Sequence, residues 1–370
     1  MILFNFTFYS MLCAIFLVFY FKREHAISRA GIIVFSILTI VWLWATLSFR
    51  EPAGDPWRYM LGLNNISKLN FSELLNYDKS AFGFALLNWL TALVSTSSIF
   101  FFSVIYFSCL LPLYLAFRER FNKIDALSLM MLYLLYPFYI NYLASGFKQG
   151  IAFGFMLWGL NCILDNRHPK WLKGSILLLI ATLFHPSFWI VIISIVIWQL
   201  LFRHRAVNWA IYALIFSMFL SFIGFSEIVA NSILPKSVID SLGFNEYFDG
   251  SFESDAYFNS LNYKSGFRLD FALFTFSPIL FIYFLKKKSA LIDPESDFVK
   301  IYCLLASAYF ILNFIAFSDR IAAFSWFLIP FLLYDQLGKT SKSIYRPVFL
   351  SIMLGLYIIL MITYTKGFFQ

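Results

Sequence analysis

From Ser80 to Phe117 the chain runs 38 residues without one charged side chain, and shorter runs of the same kind recur from end to end. A helix needs about 20 largely apolar residues to cross a bilayer. Stretches of that character fall at 3–21, 30–48, 97–117, 125–144, 148–164, 171–185, 187–202, 207–224, 269–285, 300–317, 321–336 and 347–365. Those either side of His185-Pro186 also fit one long tilted helix. Lipid offers the backbone no hydrogen-bond partner, so the peptide groups must pair within each segment, which selects helices. Composition agrees: 61% of the 370 residues are hydrophobic and 13% charged, against about 25% charged in soluble domains. The expectation is an all-α polytopic integral membrane protein, a single transmembrane domain over 1–370 with about 12 spanning helices. The first stretch has no basic lead and no small-residue cleavage site, so it reads as a retained helix.

Charge orients the bundle. With the N-terminus outside, 18 of the 28 basic residues fall on one face, among them Arg118, Arg120, Lys170, Lys173, Lys286 to Lys288 and Lys300. Basic loops mark the cytoplasmic side. The uncharged run 80–117 strains this scheme, because two crossings there would invert every later loop. Residues 81–94 are therefore expected to be re-entrant or interfacial. Two larger loops, 49–80 and 225–268, then face outward. The second carries six carboxylates and nine Phe or Tyr residues, Tyr247 and Tyr257 among them. Carboxylates accept from sugar hydroxyls and rings lie on C–H faces; a loop packed at the membrane interface would have similar rings.

Several classes lose support. Cys13, Cys109, Cys162 and Cys303 all fall in apolar stretches without a CxxC spacing, as apolar filler does. There is no P-loop, dinucleotide fingerprint or DxD-type metal site. No metal or other cofactor is expected, and no nucleic-acid partner, because the excess of positive charge is accounted for by topology.

Ionisable residues at the outer membrane boundary are costly without a role. Lys148 stands at the start of a helix after Ser145-Gly146, where a cation and free backbone N–H groups make an anion site. Arg320 follows Asp319 between two apolar runs, and Arg58 and Arg268 join them if the loops fold inward. Taken singly, Asp319–Arg320 also reads as a helix-cap pair and Lys148 as snorkelling to lipid phosphate. Together they suit a phosphate-bearing substrate. Of four histidines, His185 alone lies at an outer helix end, ahead of Pro186. A neutral imidazole there can take a proton from a hydroxyl, and a polar helix terminus is the plain alternative.

Gly54-Asp55 with Tyr59, Phe82-Gly83-Phe84-Ala85-Leu86-Leu87-Asn88, Ser145-Gly146-Phe147-Lys148-Gln149-Gly150-Ile151-Ala152, Phe184-His185-Pro186-Ser187 and Asp319-Arg320 together resemble the EpsG-type polysaccharide polymerases, relatives of Wzy. The resemblance covers roughly 30–335. It implies a GT-C-like architecture and a polymerase of O-antigen, capsule or exopolysaccharide repeat units in a bacterial inner membrane, with its site facing the periplasm or exterior. The implied substrate is an oligosaccharide on a polyprenyl diphosphate carrier such as undecaprenyl diphosphate, and a chain-length regulator is a candidate protein partner. On that model Arg58, Lys148, Arg320 and Arg268 hold the diphosphate without a metal. Tyr59, Gln149, Asp319, Tyr247 and Tyr257 contact sugar. The base is His185, with Asp55 second. An O-antigen ligase-type glycosyltransferase and a non-enzymatic flippase or transporter of lipid-linked sugars are the alternatives. Two departures stand out. The family has Arg where Lys148 stands, and Glu-Pro-Gly where this chain has Ser80-Ala81-Phe82-Gly83.

Overall fold

The computed structural model describes residues 26–52, 54–165, 168–225, 266–288, 293, 295–314 and 318–338. They fall into two compact units, one ending at His185 and the other beginning at Pro186. Among the described residues all regular structure is helical.

The first unit comprises α1 (Ala26–Ser48), α2 (Asp55–Ile66), α3 (Phe71–Tyr77), α4 (Phe82–Val94), α5 (Ser98–Arg120), α6 (Lys123–Leu135), α7 (Pro137–Ala144), α8 (Phe147–Ile163) and α9 (Trp171–Phe184). Local chemistry sets the ends. Asn70 and Glu73 form a reciprocal capping box on α3, each bond 2.9 Å, which satisfies two of the helix's orphan donors. Asn122 Oδ1 accepts from Ile124 and Asp125 at 3.0 Å and starts α6. Pro137 has no N–H and holds Tyr136 extended, so the expected single helix over 125–144 is corrected to two, bent by 78°.

The centre of this unit is α8, which buries nearly every side chain, as a helix apolar all round must. It gets close to its neighbours through glycine. A Cβ on Gly154 would stand 2.9 Å from the Leu113 nitrogen of α5, and a Cβ on Gly159 would stand 2.9 Å from the Gly174 carbonyl of α9. Small residues that admit close backbone approach drive helix association in lipid, where apolar burial between helices contributes little. Asn161 Nδ2 donates to the Ala116 carbonyl at 2.8 Å and ties α8 to α5. At the same end of α5, Glu119 accepts from Trp158 at 3.0 Å and from Lys170 and Lys173 at 2.6 Å.

The second unit comprises α10 (Trp189–Ile197, prolonged by a wider turn to Phe202), α11 (Val207–Phe222), α12 (Leu269–Lys288), α13 (Asp297–Leu312), α14 (Asp319–Trp326) and α15 (Ile329–Gly338). Here the stretch Asp293 to Asp297, which reads as a solvated turn, makes structural bonds. Glu295 caps α11 through the Val207 N–H at 2.7 Å, and Asp297 accepts from Trp198 at 3.1 Å. Lys300, assigned from sequence to a basic loop, is 5% exposed. Its ammonium lies 3.2 Å from Asp297 and donates to the Arg203 carbonyl.

Three described helices are long and apolar enough to cross a bilayer, Ala30–Ser48, Ser98–Arg120 and Leu269–Lys287, or four if the bent pair is one span. Shorter apolar helices, including Trp171–Phe184 and Val207–Phe222, stand where other spans are expected. The run 321–336 is divided between α14 and α15. The stretches 3–21 and 347–365 lie outside the described residues. At 1.5 Å per residue the 13-residue α4 is about 20 Å long, against a hydrocarbon core of about 30 Å.

Candidate functional site

In the first unit, segments far apart in sequence meet where α8 begins. The loop 49–80 is largely helical there, and α2 presents Asp55, Arg58 and Tyr59 in its first two turns. Gly54 adopts φ +64° just ahead of α2, a left-handed conformation that glycine takes without steric cost. Tyr59 lies against Phe84 of α4 and Phe147 of α8, with ring centroids 5.2 and 5.3 Å apart. Lys148 places its ammonium over the Phe84 ring, 5.5 Å from the centroid, within range for a cation–π attraction. Gly83 brings in a fourth segment. A Cβ there would meet the backbone of Leu183 at 3.1 Å, so the first turn of α4 rests on the last turn of α9, two residues before His185.

The ammonium of Lys148 is also 3.0 Å from Asp78 Oδ2, with both side chains 26% exposed. Asp78 Oδ1 accepts from Ser80 Oγ at 2.7 Å and from the Ala81 N–H at 3.1 Å, at the entrance to α4. Burial opposes its charge, but the ammonium of Lys148 and these hydrogen bonds outweigh that and hold the carboxyl below the usual carboxylate range. Asp78 was not among the residues singled out from the sequence. A signal existed: it is the nearest carboxylate ahead of the Phe82-Gly83-Phe84 run, where the family pattern has Glu.

The other sequence candidates take different positions. Arg58 is 76% exposed and lies 3.6 Å from Asp55. Gln149 is buried, and its Nε2 has no hydrogen-bond partner among the described residues. His185 ends α9 in an extended conformation, its N–H bonded to the Ala181 carbonyl at 3.1 Å. In the second unit Arg268 grips Asp270 through Nε at 3.2 Å and Nη2 at 2.6 Å, and it stacks 3.7 Å from the Phe271 centroid. Its fork is thus occupied by a carboxylate, and the charge of Asp319 acts on it as well. Asp319 and Arg320 form the first turn of α14. Tyr247 and Tyr257 lie outside the described residues. Among the described residues no three His, Cys, Asp or Glu side chains cluster so as to hold a metal ion.

Chemically, the first-unit cluster sets a cation, a carboxylate and aromatic faces at a helix N-terminus with no side-chain cap. That is a setting for an anion with sugar attached. A family model described as the EpsG family matches residues 31–368. No curated protein and no solved structure matches the chain.

Proposed function

We propose, from the premise that the chain belongs to the EpsG family, that it polymerises lipid-linked oligosaccharide repeat units at the outer face of the bacterial inner membrane. The growing glycan moves from polyprenyl diphosphate to a hydroxyl on the next repeat unit. The observation that carries this reading is the meeting of Tyr59, Phe84, Phe147 and Lys148 beside Asp78, which joins motif segments otherwise separated by apolar filler.

In the proposed reaction the acceptor oxygen bonds to the anomeric carbon as the bond from that carbon to the diphosphate oxygen breaks. Negative charge develops on the leaving diphosphate, and cations fixed in advance stabilise it most where water is scarce. Lys148 supplies one such charge, and its carboxylate partner Asp78 gives way to phosphate oxygens as the substrate arrives. The Tyr59 ring offers a face for sugar. His185 takes the proton of the acceptor hydroxyl, with Asp55 as the rival base. A single displacement inverts the anomeric configuration.

The test uses the purified full chain with a defined polyprenyl-diphosphate repeat unit, and product length is read by gel or mass spectrometry. Ladders of joined repeat units and free polyprenyl diphosphate are expected. Movement of intact substrate across vesicle bilayers without new glycosidic bonds would replace this reading with a transporter. Single-step transfer to a different lipid acceptor would make the chain a ligase.

A further inference from the structure

We infer that Arg50 is a phosphate-binding residue at the end of the first unit where α8 begins; this deepens the diphosphate reading above and rests on it. Arg50 stands two residues past α1, partly buried. Its Nη2 donates to the carbonyl of Ala144, the last residue of α7, and its guanidinium lies over Phe102, 5.6 Å from the ring centroid. Its Nε is buried with no hydrogen-bond partner among the described residues. No carboxylate pairs with it among the described residues, which separates it from Arg58 beside Asp55 and Lys148 beside Asp78. Burial pulls its pKa down to about 10, so it stays charged at neutral pH.

The surroundings point to an anion. Phe102 packs on Phe147 at 5.9 Å, and Phe147 is the first residue of α8. Two positions on, Gln149 is 4% exposed, and its Nε2 also has no partner. Two elements therefore bring buried, unmatched N–H donors to the neighbourhood of one uncapped helix N-terminus, one of them on an uncompensated cation. Buried donors and charges without acceptors are costly. A diphosphate has only acceptor oxygens and full negative charge, and it answers both deficits. A guanidinium also suits the fork geometry that Lys148 cannot supply.

The experiment uses the full chain in nanodiscs of phosphatidylcholine, titrated with polyprenyl diphosphate and followed by intrinsic tryptophan fluorescence. Arg50→Gln should weaken binding about 10- to 100-fold, the worth of one charge-assisted contact. Lys68→Gln, at an exposed cation of the same loop that has no place in the site, should change it about threefold or less. Arg50→Lys keeps the charge and should fall between. If wild type binds and folded Arg50→Gln binds equally well, the inference is overturned while the polymerase reading stands. If wild type binds no polyprenyl diphosphate, the diphosphate reading itself fails. Equal competition by phosphatidylglycerol, lost alike in Arg50→Gln, would assign Arg50 to bilayer phosphate and overturn the inference. A second measurement needs no variant. Polyprenyl diphosphate should slow phenylglyoxal modification of Arg50 in the wild-type chain several-fold, and unchanged modification overturns the inference.

Discussion

Lys148 Nζ and Asp78 Oδ2 stand 3.0 Å apart across 70 residues of sequence, and the pair joins the start of α8 to the entrance of α4. The carboxyl of Asp78 is held below its usual value, so its contribution to stability is fully present above the unfolded value of about 3.9. It is lost as pH falls through the lower folded value. Thermal unfolding in detergent should therefore show a loss on the acid side of pH 4 that Asp78→Asn lacks. At pH 7 that variant should be less stable by about 1–2 kcal/mol, as for a partly buried charged hydrogen bond. A wild-type profile flat to pH 2 would show that the pair contributes nothing.

At Lys148 the side chain carries charge without fork geometry. Lys148→Arg should keep at least half of wild-type polymer in cells, because Arg also pairs with carboxylate and stacks on Phe84. Lys148→Ala removes the charge and leaves the half-buried Asp78 without its cation, so polymer should fall at least about tenfold with the protein still in the membrane. Comparable product from both variants would remove Lys148 from the anion site.

Gly83 tests whether the contact between α4 and α9 positions the site. An added methyl would meet the Leu183 carbonyl carbon and oxygen at 3.1 Å, and backbone yields less readily than a side-chain tip. Gly83→Ala should cost about 1–3 kcal/mol by overpacking, seen as a lower thermal midpoint, and should reduce polymer by more than the stability loss explains. Gly62→Ala is the control, since a Cβ there meets only the Tyr77 hydroxyl at 4.0 Å. Equal midpoints for the two variants would mean that the Gly83 contact relaxes freely.

The sequence made the helices legible because lipid imposes one signal on all of them, an uncharged run of fixed length. The break at 95–97, between α4 and α5, was legible from its polar run, whereas Pro137 was passed over inside an apolar run. Half of the candidate site was also readable: Tyr59, Phe84 and Lys148 sit in motifs, and the structure brings them together. The partners were not. Nothing periodic links position 78 to 148, and Arg50 opens what reads as a polar loop while its guanidinium turns onto Phe102. Lys300 misled in the opposite sense, since one basic residue near a loop looks the same whether it faces water or bonds Asp297 and Arg203.

Orientation has its own test. Single cysteines at Asn76 and at Lys287, in a background lacking the native thiols, should react differently with an impermeant maleimide on intact cells. Asn76 is exposed in the last turn of α3 and should label. Lys287, in the triple-lysine end of α12, should label only after permeabilisation. The reverse pattern would invert the bundle and place the candidate site on the cytoplasmic side.

The base is the most exposed part of the proposal. His185 ends α9 with its N–H tied back to Ala181, and the Gly83 contact holds that helix end against α4. Asp55 lies on α2 four residues before Tyr59, 45% exposed and 3.6 Å from Arg58. If His185 takes the acceptor proton, His185→Gln should preserve the helix end and lower turnover about 10²–10⁴-fold, the usual worth of general base catalysis. Donor binding should persist, because separate cations hold the diphosphate. If the imidazole only ends a helix before Pro186, the Gln variant should work within a few-fold of wild type. Asp55→Asn discriminates further: as base Asp55 would be the more damaging loss, whereas as a partner for the exposed Arg58 its loss should be mild, in line with the small value of surface ion pairs. The deciding assay is purified enzyme with defined lipid-diphosphate units, read as glycan length at fixed time. Near-normal polymer from His185→Gln beside an inactive Asp55→Asn would move the role to Asp55. Complete loss of wild-type activity with a chelator, restored by a divalent cation, would reject the metal-free chemistry for either residue.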